Sequence, residues 1–165
     1  MATVTLRGNP VTTYGELPAV GSQAPDATLL TSDLEDRTIS SLRGKRVVLN
    51  IFPSIDTGVC ATSVRRFNEH AAKLENTRVV CVSVDLPFAL GRFCGAEGID
   101  NVGTVSAFRS DFGTTYGVTI TDSPMRGLLA RAVVVINEEG TVVHTELVPD
   151  IGQEPDYQAA LAALS

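Results

Sequence analysis

Apolar positions along the chain change period several times, and each change marks an element. Between residues 46 and 52, RVVLNIF is almost continuously apolar and rich in β-branched residues. That is the pattern of a strand covered on both faces, and a central parallel strand is the expectation. From residue 60 the period becomes helical. Cys60, Val64, Phe67, Ala71 and Leu74 share one face, while Arg65, Arg66, Glu69 and Lys73 occupy the others. Asp56 or Thr57 supplies the N-cap. RVVCVSVD (78–85) reads as a second buried strand, and LPFALGRFCGAEG (86–98) as a helix weakened by Gly91, Gly95 and Gly98. VGTVSAF (102–108) is a short strand, ARAVVVINEEGTVVHTELV (130–148) two strands joined at NEEG, and EPDYQAALAAL (154–164) a closing helix.

Ahead of these, TVTLR and VTTY flank the turn-forming cluster GNP, so the first fourteen residues read as a β-hairpin. Residues 15–27, with two glycines and two prolines, read as an ordered loop leading into ATLLT. Strand, helix, strand, helix, then a strand pair and a last helix is an α/β order with a mixed sheet. No repeat, linker or biased tract divides residues 1–165, so one domain is expected.

Charge narrows the partners. The net charge is −6 and Lys and Arg form no run, which argues against nucleic acid or an anionic membrane and leaves small anionic substrates open. MATVTLRGNPVTTYGELP lacks the basic start and apolar core of a signal peptide, and no later run reaches the length of a membrane span, so a cytoplasmic address is expected. The three cysteines, Cys60, Cys81 and Cys94, form no CxxC pair and have only His70 and His144 as companions. That is neither a secreted disulfide framework nor a zinc site; no metal or cofactor is expected, and each thiol is either packing or chemistry.

Cys60 has the strongest case for chemistry. It follows a buried strand and the polar turn of NIFPSIDTGVC, in the first turn of a helix, where unpaired N–H groups converge and favour thiolate over thiol. Taking a thiol from its ordinary pKa of about 8.5 to about 6 requires about 3.4 kcal/mol. A helix terminus supplies at most about 2 kcal/mol, so a cation must help. Arg131, polar and immediately before the buried AVVVI, is the best-placed candidate, whereas Arg65 and Arg66 read as solvated charges. The alternatives are a small buried hydrophobe at Cys60 and a surface ion pair at Arg131. Cys81, amid VVCVSV, reads as core packing. Cys94 sits among glycines that each cost a helix about 1 kcal/mol, in a segment able to open and carry its thiol elsewhere. A cysteine hydrolase would need a histidine base beside the nucleophile; His70 lies ten residues down the helix, and nothing in the sequence places His144.

PSIDTGVC also resembles the P-x-x-x-T-x-x-C signature of peroxiredoxins, through Pro53, Thr57 and Cys60, with Arg131 at the position of the family's distant arginine. VVLNIFPSIDTGVCATSVRRFN, DLPFALGRFCGAEG and GLLARAVVVI, in this order, are similar to the bacterial thiol peroxidase branch. The resemblance implies a thioredoxin-like fold, with a mixed central sheet flanked by helices and the N-terminal hairpin added. It implies a peroxidase acting on hydrogen peroxide and organic hydroperoxides, serving antioxidant defence. Cys60 would be the peroxidatic thiol, Thr57 a hydrogen-bonding partner of sulfur and peroxide, Arg131 the stabiliser of charge, Pro53 a shield against water and Cys94 the resolving thiol. Thioredoxin or an equivalent dithiol would reduce the Cys60–Cys94 disulfide, and the branch is homodimeric. Where many peroxiredoxins carry proline after the threonine, this chain has Gly58, as others of the branch do.

Overall fold

A computed structural model describes residues 1–165. Its elements are β1 (Thr3–Leu6), β2 (Asn9–Thr12), β3 (Thr28–Thr31), β4 (Asp36–Thr38), β5 (Arg46–Ile51), α1 (Gly58–Ala71), β6 (Thr77–Ser83), α2 (Pro87–Glu97), β7 (Gly103–Ser106), α3 (Phe112–Thr115), β8 (Ala132–Ile136), β9 (Val142–Leu147) and α4 (Tyr157–Ala162). Seven strands form one sheet in the order β4-β3-β7-β6-β5-β8-β9, and β1 pairs with β2 alone. β5, β6 and β7 run parallel to their neighbours in that trio, while β8, β9, β3 and β4 add antiparallel edges.

The continuous apolar run at β5 follows from burial on both faces. Val47, Leu49 and Ile51 enter the larger core with Val80, Val82 and Val134. Val48 points the other way, into a second cluster with Phe67 of α1 and Tyr157 and Ala160 of α4. Asn50, on that same face, is buried; its Nδ2 donates to Ser63 Oγ at 3.2 Å and lies 3.6 Å from Cys81 Sγ. A third cluster joins Phe52, Ile55, Cys60 and Val64 to Cys81 of β6 and Leu90 of α2. This third cluster lies at the carboxyl ends of the parallel strands β5 and β6, where open α/β sheets place their sites.

The hairpin forms where expected, and its turn includes Gly8 of GNP but is centred one residue earlier, on Arg7 and Gly8. Both turn residues have positive φ, 51° and 83°, as a tight two-residue connection requires, so Asn9 and Pro10 become strand residues opposite Leu6 and Thr5. β4 and α3, three and four residues long, carry no period for a sequence reading to detect. α1 starts after Thr57, which decides between the two candidate N-caps.

Candidate active site

The β5 chain ends at Ile51, turns through residues 52–57 and re-forms as α1, so that Cys60 is the third residue of the helix and fully buried. β8 runs antiparallel to β5 with Ala132 opposite Ile51. That register sets the preceding residue, Arg131, beside the start of the turn. Its side chain is only 2% exposed. Nη2 donates to Cys60 Sγ at 3.2 Å and Nε to the Ile151 carbonyl at 2.9 Å. Nη1 is enclosed and donates to nothing within the protein. A buried guanidinium costs several kcal/mol unless it is paired, so the arginine is suited to negative charge developing beside it and has a further donor for an incoming oxygen.

Pro53, Thr57 and Arg131 line a cleft of about 720 Å³. Its opposite wall comes from Leu6, Pro10 and Val11 of the hairpin and from Met125. Pro53 is buried, whereas Thr57 is exposed at the helix start. The Thr57 hydroxyl does not cap the helix; it donates to the Ser54 carbonyl at 3.0 Å. Its proton is thereby committed, and its lone pairs remain to accept one from a bound molecule.

The hairpin also reaches Arg131 indirectly. Thr5 donates from N to the Pro149 carbonyl and from Oγ1 to Asp150 Oδ2, at 2.8 and 2.6 Å, while Ile151 N donates to the Thr5 carbonyl at 2.8 Å. The strap at 149–151 that supplies the acceptor for Arg131 Nε is therefore pinned to β1. The Thr5 hydroxyl and the Gly152 amide hold the Asp150 carboxyl below its ordinary range. A carboxyl lowered on folding contributes stability above its unfolded pKa and loses it as pH falls through the folded value. Between pH 6 and pH 3 the thermal midpoint of the wild type therefore falls more steeply than that of Asp150→Asn. Parallel slopes in melting curves would show that the carboxylate does not tether the strap.

Cys81 is fully buried in β6, and burial pushes its thiol up to about 12, a shift that the Asn50 amide opposes. It is the packing residue its sequence suggests. Cys94 lies on α2, half-buried, with Sγ 3.6 Å from Thr104 Oγ1; burial raises its thiol as well. It packs against the edge of the cluster that holds Cys60, and all three thiols are unbonded. His70 packs against Tyr157 and His144 lies on β9, so neither is set beside Cys60 as a hydrolase base would be. Arg65 is exposed as expected, yet it bridges to Glu97 of α2 at 2.6 Å and lies over the Phe93 ring. The residues that sequence reasoning passed over are Ser54, Asp85 and Ile151. For Asp85 there was a usable signal, its place just beyond the carboxyl end of a parallel strand.

With this geometry established, three comparisons bear on it. Residues 19–161 match the Redoxin family. The chain is 64% identical over 164 residues to the thiol peroxidase of Mycobacterium bovis, covering 99% of each, and 57% identical over 165 residues to the thiol peroxidase of Corynebacterium glutamicum, covering 100% of each. Among solved structures, the peroxiredoxin-like protein of Aquifex aeolicus superposes with a TM-score of 0.94 at 41% identity, covering 99% of this chain and 96% of that one. The thiol peroxidase from Chromobacterium violaceum, at 21% identity and a TM-score of 0.91 over 99% of this chain and 96% of its own, shares the fold.

Proposed function

The chain belongs to the Redoxin family, with its peroxiredoxin-type thioredoxin-like fold, and is a thiol peroxidase; from that premise we propose that Cys60 is its peroxidatic thiol, Cys94 its resolving thiol, and Arg131, Thr57 and Pro53 the groups that serve the first step. The observation that carries this reading is the 3.2 Å contact between the buried Arg131 guanidinium and Cys60 Sγ at the start of α1.

The Cys60 thiolate attacks the nearer oxygen of the hydroperoxide. An S–O bond forms as the O–O bond breaks, the attacked oxygen keeps its hydrogen in the sulfenic acid, and the distal oxygen departs as hydroxide or alkoxide and takes a proton from solvent water, replacing the one the thiol gave up on ionising, to become water or alcohol. Arg131 faces the charge throughout, with Nη2 on the sulfur and Nη1 directed at the oxygen that becomes negative. The Thr57 hydroxyl accepts a hydrogen bond from the peroxide O–H and so orients the attacked oxygen. Pro53 keeps water from the sulfur. The resulting Cys60 sulfenic acid condenses with Cys94 of the same chain, releasing water and forming a disulfide, which thioredoxin or an equivalent dithiol reduces by exchange. The substrates are hydrogen peroxide and organic hydroperoxides. The resemblance to the thiol peroxidase branch adds two parts to this reading, a homodimer and a cytoplasmic address.

Single-turnover kinetics test the division of labour. In Cys94→Ser, formation of the Cys60 sulfenic acid keeps its wild-type rate, while thioredoxin-supported cycling falls sharply without vanishing, because an external thiol still attacks the sulfenic acid. Unchanged cycling would move the resolving role to another thiol.

Resolution requires α2 to open, and α2 is built weakly. Only Pro87 and Leu90 of its eleven residues are buried, against five residues in α1, and two glycines lie inside it. A Cβ at Gly95 would meet nothing within 4 Å, so the glycine is not there for packing. Gly95→Ala stabilises the helix by about 1 kcal/mol and slows disulfide formation about fivefold, leaving sulfenic acid formation unchanged. A rate equal to wild type, read by rapid acid quench, would mean that α2 does not unwind on the path.

A further inference from the structure

The turn that carries Pro53 and Thr57 has its internal bonds gathered on one residue. Thr57 donates to the Ser54 carbonyl from both N and Oγ1, at 3.2 and 3.0 Å, and Asp56 N donates to Ser54 Oγ at 3.2 Å. Ser54 is in turn held from outside the turn. Its Oγ donates to Asp85 Oδ1 at 2.8 Å, and the neighbouring Ile55 N donates to Asp85 Oδ2 at 2.7 Å. The same carboxylate accepts from Ser83 Oγ at 2.6 Å, and the Asp85 carbonyl accepts from Ser106 Oγ. Ser83 and Ser106 are fully buried and stand opposite each other at the ends of β6 and β7.

We propose that Asp85 is a positioning residue for peroxide reduction: through Ser54 and Ile55 it fixes the turn that aims the Thr57 hydroxyl at the reacting oxygen, taking its own reference from the ends of two central strands. The role rests on the reading of Cys60 as the peroxidatic thiol. Two hydrogen bonds accepted by one carboxylate fix a turn with no other outward side-chain anchor on Ser54, whose carbonyl is the partner of the Thr57 hydroxyl. Asp85 also stands two residues before Pro87, the first residue of α2, so it bonds the peroxidatic turn to the root of the segment that carries Cys94. It touches neither thiol. Its effect falls on the first step, in which the turn must be ordered, and not on disulfide formation, in which the turn and α2 must come apart.

The test separates the two steps by rapid quench with a 1,3-diketone that traps sulfenic acid, at a temperature where every variant is folded by circular dichroism. In Asp85→Ala, sulfenic acid formation slows at least about tenfold, in line with the cost of small misplacements at a reacting centre, while disulfide formation is not slowed. Ser54→Ala, which keeps the Ile55 bond, slows the same step less. Asp85→Asn, which keeps an acceptor for Ile55 N–H, recovers part of the rate. A wild-type first-step rate in Asp85→Ala would overturn the positioning role alone, as would an equal slowing of both steps, which is the mark of a general structural defect. If the wild-type chain formed no sulfenic acid at Cys60, the assignment of Cys60 would fall and the positioning role with it.

Discussion

The Cys60→Ser protein consumes no hydroperoxide above the uncatalysed background, whatever thiol reductant is supplied. A serine hydroxyl is not ionised at neutral pH and does not attack an O–O bond, so no neighbouring group can restore the step. The substitution is also a clean one. Sγ is fully buried against Phe52, Val64 and Leu90, and a serine oxygen fits its volume while still accepting from Arg131 Nη2. The fold survives, so loss of turnover cannot be put down to unfolding; peroxide consumption beside a circular dichroism melt checks both halves. Residual turnover of more than a few per cent of wild type would place the reactive thiol elsewhere.

Arg131→Met lowers the rate constant for sulfenic acid formation by about 10²–10³, the cost of removing one preorganised donor from developing negative charge. Two contributions add. The sulfur loses its cationic hydrogen-bond donor, and the departing oxygen loses the free Nη1. Stability moves differently. Methionine fills the space without a buried charge, which is neutral or favourable, although the Ile151 carbonyl loses its donor. The thermal midpoint therefore stays within a few degrees of wild type while activity collapses. Arg131→Lys keeps the charge but cannot reach the Ile151 carbonyl and the sulfur together, so it recovers only part of the rate. A lysine variant as fast as wild type would show that charge alone is needed and that the fork geometry is incidental.

Much of this arrangement is legible in the sequence because it rests on contrasts of period. Cys60 stands where an unbroken apolar strand gives way to a polar turn and then to helical spacing. Arg131 stands where a charge abuts an apolar run. Ser54 offers no such contrast, since a polar residue in a turn looks the same whether it faces solvent or holds a loop, and Asp85 is marked only by its place just beyond the end of a buried strand. At the hairpin, composition points to Gly8, Asn9 and Pro10, of which Gly8 is in the turn, whereas the other turn residue is Arg7, held at a positive φ that composition does not advertise. Arg65 shows a limit of another kind. Its exposure follows from its helical face, but its contact with Glu97 and Phe93 depends on where α2 packs. The short β4 and α3 are set by tertiary pairing and not by any local pattern.

The central claim is that Cys60 and Cys94 form one redox pair within a single chain. The most direct measurement is mass mapping of the reduced wild-type protein after one equivalent of hydroperoxide, quenched rapidly in acid and digested without reductant. The account predicts a fast loss of two hydrogens, with the Cys60 and Cys94 peptides linked in one species and the Cys81 peptide still a free thiol. Slow oxidation scattered over the three cysteines, at the rate of an ordinary free thiol, would contradict it.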